Sequence, residues 1–226
     1  MTLLKIAHRG DPIAHRENTL PAFAAAIAGG ADMIELDVRR TADGRAVVVH
    51  DPTLDRLWGV ARRVAELSRD EVCALGIPDL RDVLAAIPPD VQVMVDYKEE
   101  DFAELALADV VAAGSLERAV FAGDCFDGHR RILGRAAGAR IAVTWDREVP
   151  CPDALLDELR AEFYNPRGNV LATDPGAVER MHAHGTKVSV WTIDQRDDME
   201  FFVALGVDAI ITNRVATLAE LLGAPC

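Results

Sequence analysis

Two histidines, three carboxylates and two cations lie within the first hundred residues, each beside a β-type run. His8-Arg9-Gly10 closes Leu3–His8, Glu35 and Asp37 lie in Met33–Val38, His50 ends Arg45–His50, and Asp96 and Lys98 close Val91–Tyr97. Residues two apart on a strand share a face. Glu35 and Asp37 therefore point one way, with Ile34, Leu36 and Val38 the other, and Asp96 and Lys98 repeat the pattern against Val95 and Tyr97. Three carboxylates gathered inside a fold repel one another and resist desolvation unless positive charge lies between them. A hard divalent cation answers that need: Mg²⁺ or Ca²⁺, with Mn²⁺ as an allowed substitute. No compact His/Cys set points to zinc. Imidazole is the side chain best matched to proton transfer near neutral pH, and Arg9 and Lys98 add positive charge. This set suits an anionic, tetrahedral group, and phosphodiester cleavage fits it. Metal and cations offset phosphoryl charge, one imidazole takes a proton, and the other gives one to the leaving oxygen. Spacing does not say which histidine does which.

The elements that must position these groups alternate. Eight β runs (the four above without Arg45–His50, then Ala119–Gly123, Arg140–Trp145, Phe163–Asn165, Lys187–Ile193 and Asp208–Thr212) are separated by Ala/Leu-rich stretches. These end at Gly29-Gly30, Pro88-Pro89, Gly114, Gly138, Gly185, Gly206 and Gly223, which fit helix stops. Asp174-Pro175 reads as a cap and first helical residue. Such alternation implies a parallel sheet with helical crossovers. Eight units in 226 residues leave about 28 each, the size of a compact (β/α)₈ TIM barrel, whose working residues sit at strand C-termini. An open doubly wound sheet is disfavoured by the lack of a GxGxxG turn after the first run. Arg45–His50 follows the second run through Ala42-Asp43-Gly44, too short for a parallel crossover. It predicts a β-hairpin extension that sets His50 opposite Asp37 or Glu35, depending on the turn.

The chain carries 24 basic and 37 acidic residues, a net charge of −13. That field disfavours nucleic acid and anionic lipid as partners. The 50% apolar and 27% charged composition is that of a globular protein. No run is long enough for an integral membrane segment, and Met1–Gly10 does not resemble a signal peptide. Four cysteines without a CxxC pair suit a reducing cytoplasm and read as apolar fillers. A single domain over residues 1–226 is expected, with 51–78 a short insertion at the site.

These residues resemble, in order and over nearly the whole chain, the motif series of the glycerophosphodiester phosphodiesterase family. The series comprises His8-Arg9-Gly10, Glu17-Asn18-Thr19, Glu35-x-Asp37, Thr41-x-Asp43-Gly44 leading to His50-Asp51, Ile77-Pro78-x-Leu80, Asp96-x-Lys98, Trp191-Thr192 and Asp208-x-Ile210-Ile211-Thr212. The resemblance implies a barrel, a divalent metal, and hydrolysis of a small-molecule glycerophosphodiester to glycerol 3-phosphate and an alcohol. It places His8 and His50 as the acid/base pair, Glu35, Asp37 and Asp96 on the metal, Arg9 and Lys98 on phosphate, and Trp191 in the pocket wall. The chain departs from the family in three places. Asp96 stands where glutamate is usual, and Asn213 and Val215 stand where aspartate and proline are common. The segment Asp51–Gly76 is short, which implies a shallower pocket rimmed by Trp58, Arg62 and Arg63. Two other readings use the same residues. One is a lyase-type phosphodiesterase on lysophospholipids that releases a cyclic phosphate, suggested by the shortened cover. The other is an idle barrel that binds a phosphometabolite, suggested by Asp96 and the altered last motif.

The remaining polar residues have plainer readings. His182-Ala183-His184 lies on a helix, where residues two apart do not share a face. His15 and His129 read as loop or helix-start residues, and Asp124 and Asp127 as helix caps. Arg62 and Arg63 also suit a solvated face. Oligomeric state and alcohol group are left open by the sequence.

Overall fold

The computed structural model describes residues 3–223. In chain order its elements are β1 (Leu4–His8), α1 (Leu20–Ala28), β2 (Met33–Arg40), β3 (Ala46–Val48), β4 (Thr53–Leu54), α2 (Asp55–Trp58), β5 (Val60–Arg63), α3 (Arg69–Ala74), α4 (Leu80–Ala86) and β6 (Gln92–Tyr97). Then follow α5 (Ala103–Ala112), β7 (Ala119–Gly123), α6 (Phe126–Arg135), β8 (Arg140–Trp145), α7 (Asp153–Glu158), β9 (Phe163–Pro166), α8 (Gly168–Thr173), α9 (Gly176–His184), β10 (Lys187–Val190), α10 (Arg196–Leu205), β11 (Ala209–Thr212) and α11 (Val215–Leu221). Strands β1, β2, β6, β7, β8, β9, β10 and β11 are parallel neighbours, and β1 pairs with both β2 and β11, so the ring closes. This is the expected (β/α)₈ barrel, with β3 as the extra strand outside the ring.

Strand alternation sorts the side chains as the sequence predicts. Ile34, Leu36, Val38, Val95 and Tyr97 pack outward against the helices. Ile6, Met33, Met94, Val120, Ala142, Phe163, Ala209 and Ile211 fill the barrel interior. The interior is a packed floor on which polar groups at the strand C-termini rest. Emptying it is costly: truncating a buried phenylalanine such as Phe163 removes about 3–5 kcal/mol.

The hairpin exists, but its register is neither of the two expected. Val38 faces Val48, Arg39 faces Val47 and Arg40 faces Ala46. Thr41 N donates to Arg45 O at 3.0 Å, enclosing a three-residue loop with Gly44 at φ 75°, a common hairpin solution. Both expected registers assumed a two-residue turn. Here Val49 lies across from Asp37, its N–H donating to Asp37 O, and His50 falls beyond the ladder.

The insertion after β3 builds its own small core from Val47, Val49, Leu54, Val64, Leu67, Val72 and Ile77. The short α8 and the insertion's helices lack a long apolar repeat and are not legible as helices in the sequence. Asp174 does not cap α9 with its side chain; it pairs with Arg180. Among the described residues no helix is long and apolar enough to cross a membrane.

Candidate active site

A cavity of about 260 Å³ opens at the C-terminal mouth of the barrel, lined among others by His8, Arg9, Glu35, Asp37, His50, Asp96, Lys98 and Trp191. All eight residues singled out in the sequence therefore meet in one space. Carboxylate oxygens of Glu35, Asp37 and Asp96 lie within 4.8 Å of one another. The paired register explains this: Asp37 and Asp96 are lateral partners across β2 and β6, and Glu35 is partnered by His8 across β1 and β2.

The loop after β1 wraps the carboxylates. Arg9 adopts φ 59° and Gly10 φ 86°, turning the chain so that Arg9 N donates to Glu35 Oε2 at 3.1 Å. A Cβ on Gly10 would lie 2.7 Å from the Ala22 carbonyl carbon, so helix α1 leaves room only for glycine. Asn18, fully buried and also in the left-handed region at φ 58°, donates through Nδ2 to Asp37 Oδ2 at 2.8 Å. Glu17 pairs with Arg9 at 2.9 Å and with Arg56 at 2.6 Å. The sequence series contains Glu17 and Asn18 without assigning them roles. Asparagine's tolerance of the left-handed region was the available signal.

The charges are strongly coupled. Lys98 Nζ bridges Asp37 Oδ1 at 2.7 Å and Asp96 Oδ2 at 2.6 Å, and Arg9 Nε lies 3.0 Å from Asp37 Oδ2. Burial pushes Asp37 up, but Lys98 and Arg9 outweigh it and hold the carboxyl well below its usual range. Burial and the charges on Asp37 and Asp96 push Glu35 well above its usual range. Asp96 is also raised, by burial and by Asp37. Burial would lower Lys98, yet Asp96, Asp37 and Glu35 raise it.

The two histidines have different backing. His8 Nδ1 lies 2.8 Å from Asn213 Oδ1, and burial, then Arg9, lower its pKa from 6.5. His50 Nδ1 lies 2.7 Å from Asp51 Oδ1, and Asp51 is also paired with Arg56. Arg39 Nε donates to the His50 carbonyl at 2.7 Å, holding the backbone where the ladder no longer does.

The rest of the mouth is formed by Gly123, Asp124, Thr144, Asp146, Asn165 and Trp191. Trp191 Nε1 donates to Asn165 O at 3.0 Å. The expected rim is corrected: Trp58, Arg62 and Arg63 do not line this cavity. Trp58 packs on the insertion's own core with Arg16 over its ring, and Arg62 and Arg63 are exposed. Asp124 and Asp127 provide no side-chain cap to α6; Asp124 lines the cavity and Asp127 pairs with Arg130. His129 is fully buried within α6, its Nδ1 paired with Tyr97 Oη, and burial lowers its pKa to about 4. It stays neutral and structural. His182 and His184 contact Asp208 and Asp157 respectively, so they do not act as a pair. Cys125 and Cys151 are buried as expected, Cys73 is partly exposed, and Cys226 lies outside the described residues.

A closed parallel barrel with its ionisable groups gathered at the strand C-termini is the layout of a barrel enzyme. A profile of the glycerophosphoryl diester phosphodiesterase family matches residues 8–217. A glycerophosphodiester phosphodiesterase of Caldanaerobacter subterraneus subsp. tengcongensis is 31% identical over 241 residues, covering 98% of each chain. The Thermotoga maritima glycerophosphodiester phosphodiesterase structure shares the fold with a TM-score of 0.84 at 24% identity, over 98% of this chain and 99% of that one. A phosphodiesterase of Oleispira antarctica, solved with the product sn-glycerol-3-phosphate, shares it with a TM-score of 0.88 at 19% identity, over 99% and 98%. The chain belongs to the glycerophosphoryl diester phosphodiesterase family and is a phosphoric diester hydrolase.

Proposed function

We propose that the protein hydrolyses glycerophosphodiesters to glycerol 3-phosphate and an alcohol, with a divalent cation on Glu35, Asp37 and Asp96 and with His8 and His50 as proton carriers. The observation that carries this reading is the carboxylate trio lying within 4.8 Å in the same cavity as both imidazoles. The trio fits a hard cation on chemical grounds. Asp37 Oδ1 is buried with Lys98 Nζ 2.7 Å away, so its negative charge is already drawn toward a cation. Burial, and then the other two carboxylates, push Glu35 toward its protonated form. An oxygen-only donor set suits Mg²⁺, Ca²⁺ or Mn²⁺. When bound, such an ion supplies charge that offsets the phosphoryl oxygens. Asp96 in place of the family's glutamate keeps the ligand chemistry and shortens its reach by one methylene.

The chain's own residues divide the rest. Arg9 and Lys98 present positive charge to the phosphoryl group while remaining shared with Asp37 and Asp96. The neutral amide behind His8 and its lowered pKa suit an unprotonated imidazole, so His8 takes the proton from the attacking oxygen, that of water or that of a glycerol hydroxyl whose cyclic phosphate water then opens. The Asp51 carboxylate behind His50 orients its ring toward the cavity, so His50 is assigned the proton delivered to the leaving alkoxide. Trp191 forms part of the substrate wall. Phosphorus NMR of glycerophosphocholine, glycerophosphoethanolamine and glycerophosphoglycerol turnover with added cation tests the reading. Glycerol 3-phosphate as the accumulating phosphorus species is expected. A persistent cyclic phosphate would replace hydrolysis by the lyase reading.

A further inference from the structure

Behind His8, away from the cavity, three side chains form a directed chain of hydrogen bonds. Asp194 Oδ1 accepts from Asn213 N at 2.8 Å and from Thr212 Oγ1 at 3.1 Å, and Asp194 Oδ2 accepts from Asn213 Nδ2 at 2.7 Å. Thr212 Oγ1 in turn accepts from Arg214 N at 3.0 Å, which leaves its own hydrogen to donate to Asp194. An ionised carboxylate only accepts. The Asn213 amide must therefore turn its NH₂ toward Asp194 and its Oδ1 toward His8, where the contact to Nδ1 is 2.8 Å. An amide oxygen also only accepts, so His8 Nδ1 carries the hydrogen and Nε2 carries the lone pair.

We propose that Asp194, which does not line the cavity, is a positioning residue that fixes His8 as the Nδ1–H tautomer by setting the direction of the Asn213 amide. An asparagine by itself does not choose: exchanging its oxygen and nitrogen preserves its shape and inverts the polarity of its contacts. The choice is made two side chains from the reacting atoms, at the junction following β10 and β11. The arrangement also keeps the negative charge one residue behind His8. His8 is oriented by a dipole, while His50 is backed directly by the Asp51 carboxylate.

This inference rests on the reading of His8 as base, and Asp194→Asn tests it. The new side chain has one acceptor oxygen, which the Asn213 N–H and the Thr212 hydroxyl already occupy, so its NH₂ meets the NH₂ of Asn213. Relief comes from rotating the Asn213 amide, which then offers a donor to His8 Nδ1 and moves the histidine hydrogen to Nε2. The expected result is a fall in kcat of about 10²–10⁴ with KM nearly unchanged, together with nitrogen-15 NMR of labelled His8 showing the hydrogen transferred from Nδ1 to Nε2. The double variant Asp194→Asn, Asn213→Asp places a carboxylate between two donors, and it should restore the Nδ1–H form. An unchanged tautomer in Asp194→Asn, or no rescue by the double variant, would overturn the proposal. So would an Nε2–H tautomer in the unmodified protein, a measurement that does not depend on any variant folding. If the unmodified protein fails to cleave any glycerophosphodiester, the functional reading fails while the tautomer measurement still decides the relay.

Discussion

The two halves of the barrel mouth differ in kind. Across β1, β2 and β6 stand His8, Arg9, Glu35, Asp37, Asp96 and Lys98, and ion pairs of 2.6–3.0 Å link Arg9, Asp37, Asp96 and Lys98. Across β7 to β11 stand Ala122, Gly123, Thr144, Asn165, Trp191 and Ile211, with Asp124 and Asp146 at the lip. Beneath that lip, where Asp146 pairs with Arg167 at 3.2 Å, the contacts are neutral hydrogen bonds, such as Asn165 Nδ2 to Thr144 Oγ1 at 3.2 Å and Ser189 Oγ to Asn165 Oδ1 at 2.7 Å. The same strand geometry supports both halves. The first concentrates charge whose mutual compensation fails if one member is removed. The second offers shape and neutral polarity, where one change alters fit. Chemistry should therefore be lost by mutation in the first half and selectivity changed by mutation in the second.

The strongest way to break this contrast is to remove a proton carrier. His8→Ala or His50→Ala should each lower kcat by about 10²–10⁴ while circular dichroism and melting temperature stay near those of the unmodified protein. Next comes the backbone that wraps the charged half. Gly10→Ala should cost about 2–6 kcal/mol, combining a strained positive φ with overlap on Ala22, and chemical denaturation will read it.

A pH series sharpens the electrostatic side. Glu35 holds its proton to higher pH than an ordinary glutamate, by burial and then by Asp37 and Asp96, and a cation must displace that proton. Metal affinity should fall as pH drops, by up to about tenfold per unit below the Glu35 pKa, with proton release on binding visible by calorimetry. His8 moves the other way, because burial and Arg9 lower it from 6.5. With saturating cation, the acid limb of kcat/KM should fall below pH 6.5. The smallest effects belong to the neutral half and the insertion. Asn165→Ala should shift preference among alcohols and lower stability by about 1–3 kcal/mol, since two neutral hydrogen bonds are lost at about 0.5–1.5 kcal/mol each. Arg62→Ala, on an exposed face, should move stability by no more than about 0.5 kcal/mol.

The charged half was legible in the sequence because its residues lie on strands, where a period of two fixes the face and neighbouring strand ends converge. Glu35, Asp37 and Asp96 were readable for that reason, and so were the eight barrel strands with their outward Ile34, Leu36 and Tyr97. What failed depended on loops. The three-residue turn shifted the hairpin register because Thr41 closes onto Arg45, which no alternation pattern reports. Trp58 turned inward to the insertion's own core, an outcome of local packing in a segment without periodicity. The supports Asn18, Asn213 and Asp194 were hidden because polar loop residues reveal their partners only once distant strand ends meet.

The carboxylate trio is proposed to hold a divalent ion needed for diester cleavage. The most direct test is release of glycerol 3-phosphate from glycerophosphodiesters by protein stripped of metal, before and after adding Mg²⁺, Ca²⁺ or Mn²⁺, beside Asp37→Asn treated identically. The expected result is no release by the stripped protein, recovery with at least one cation, and no recovery in the variant. Full release by the stripped protein, or equal recovery by Asp37→Asn, would contradict the account.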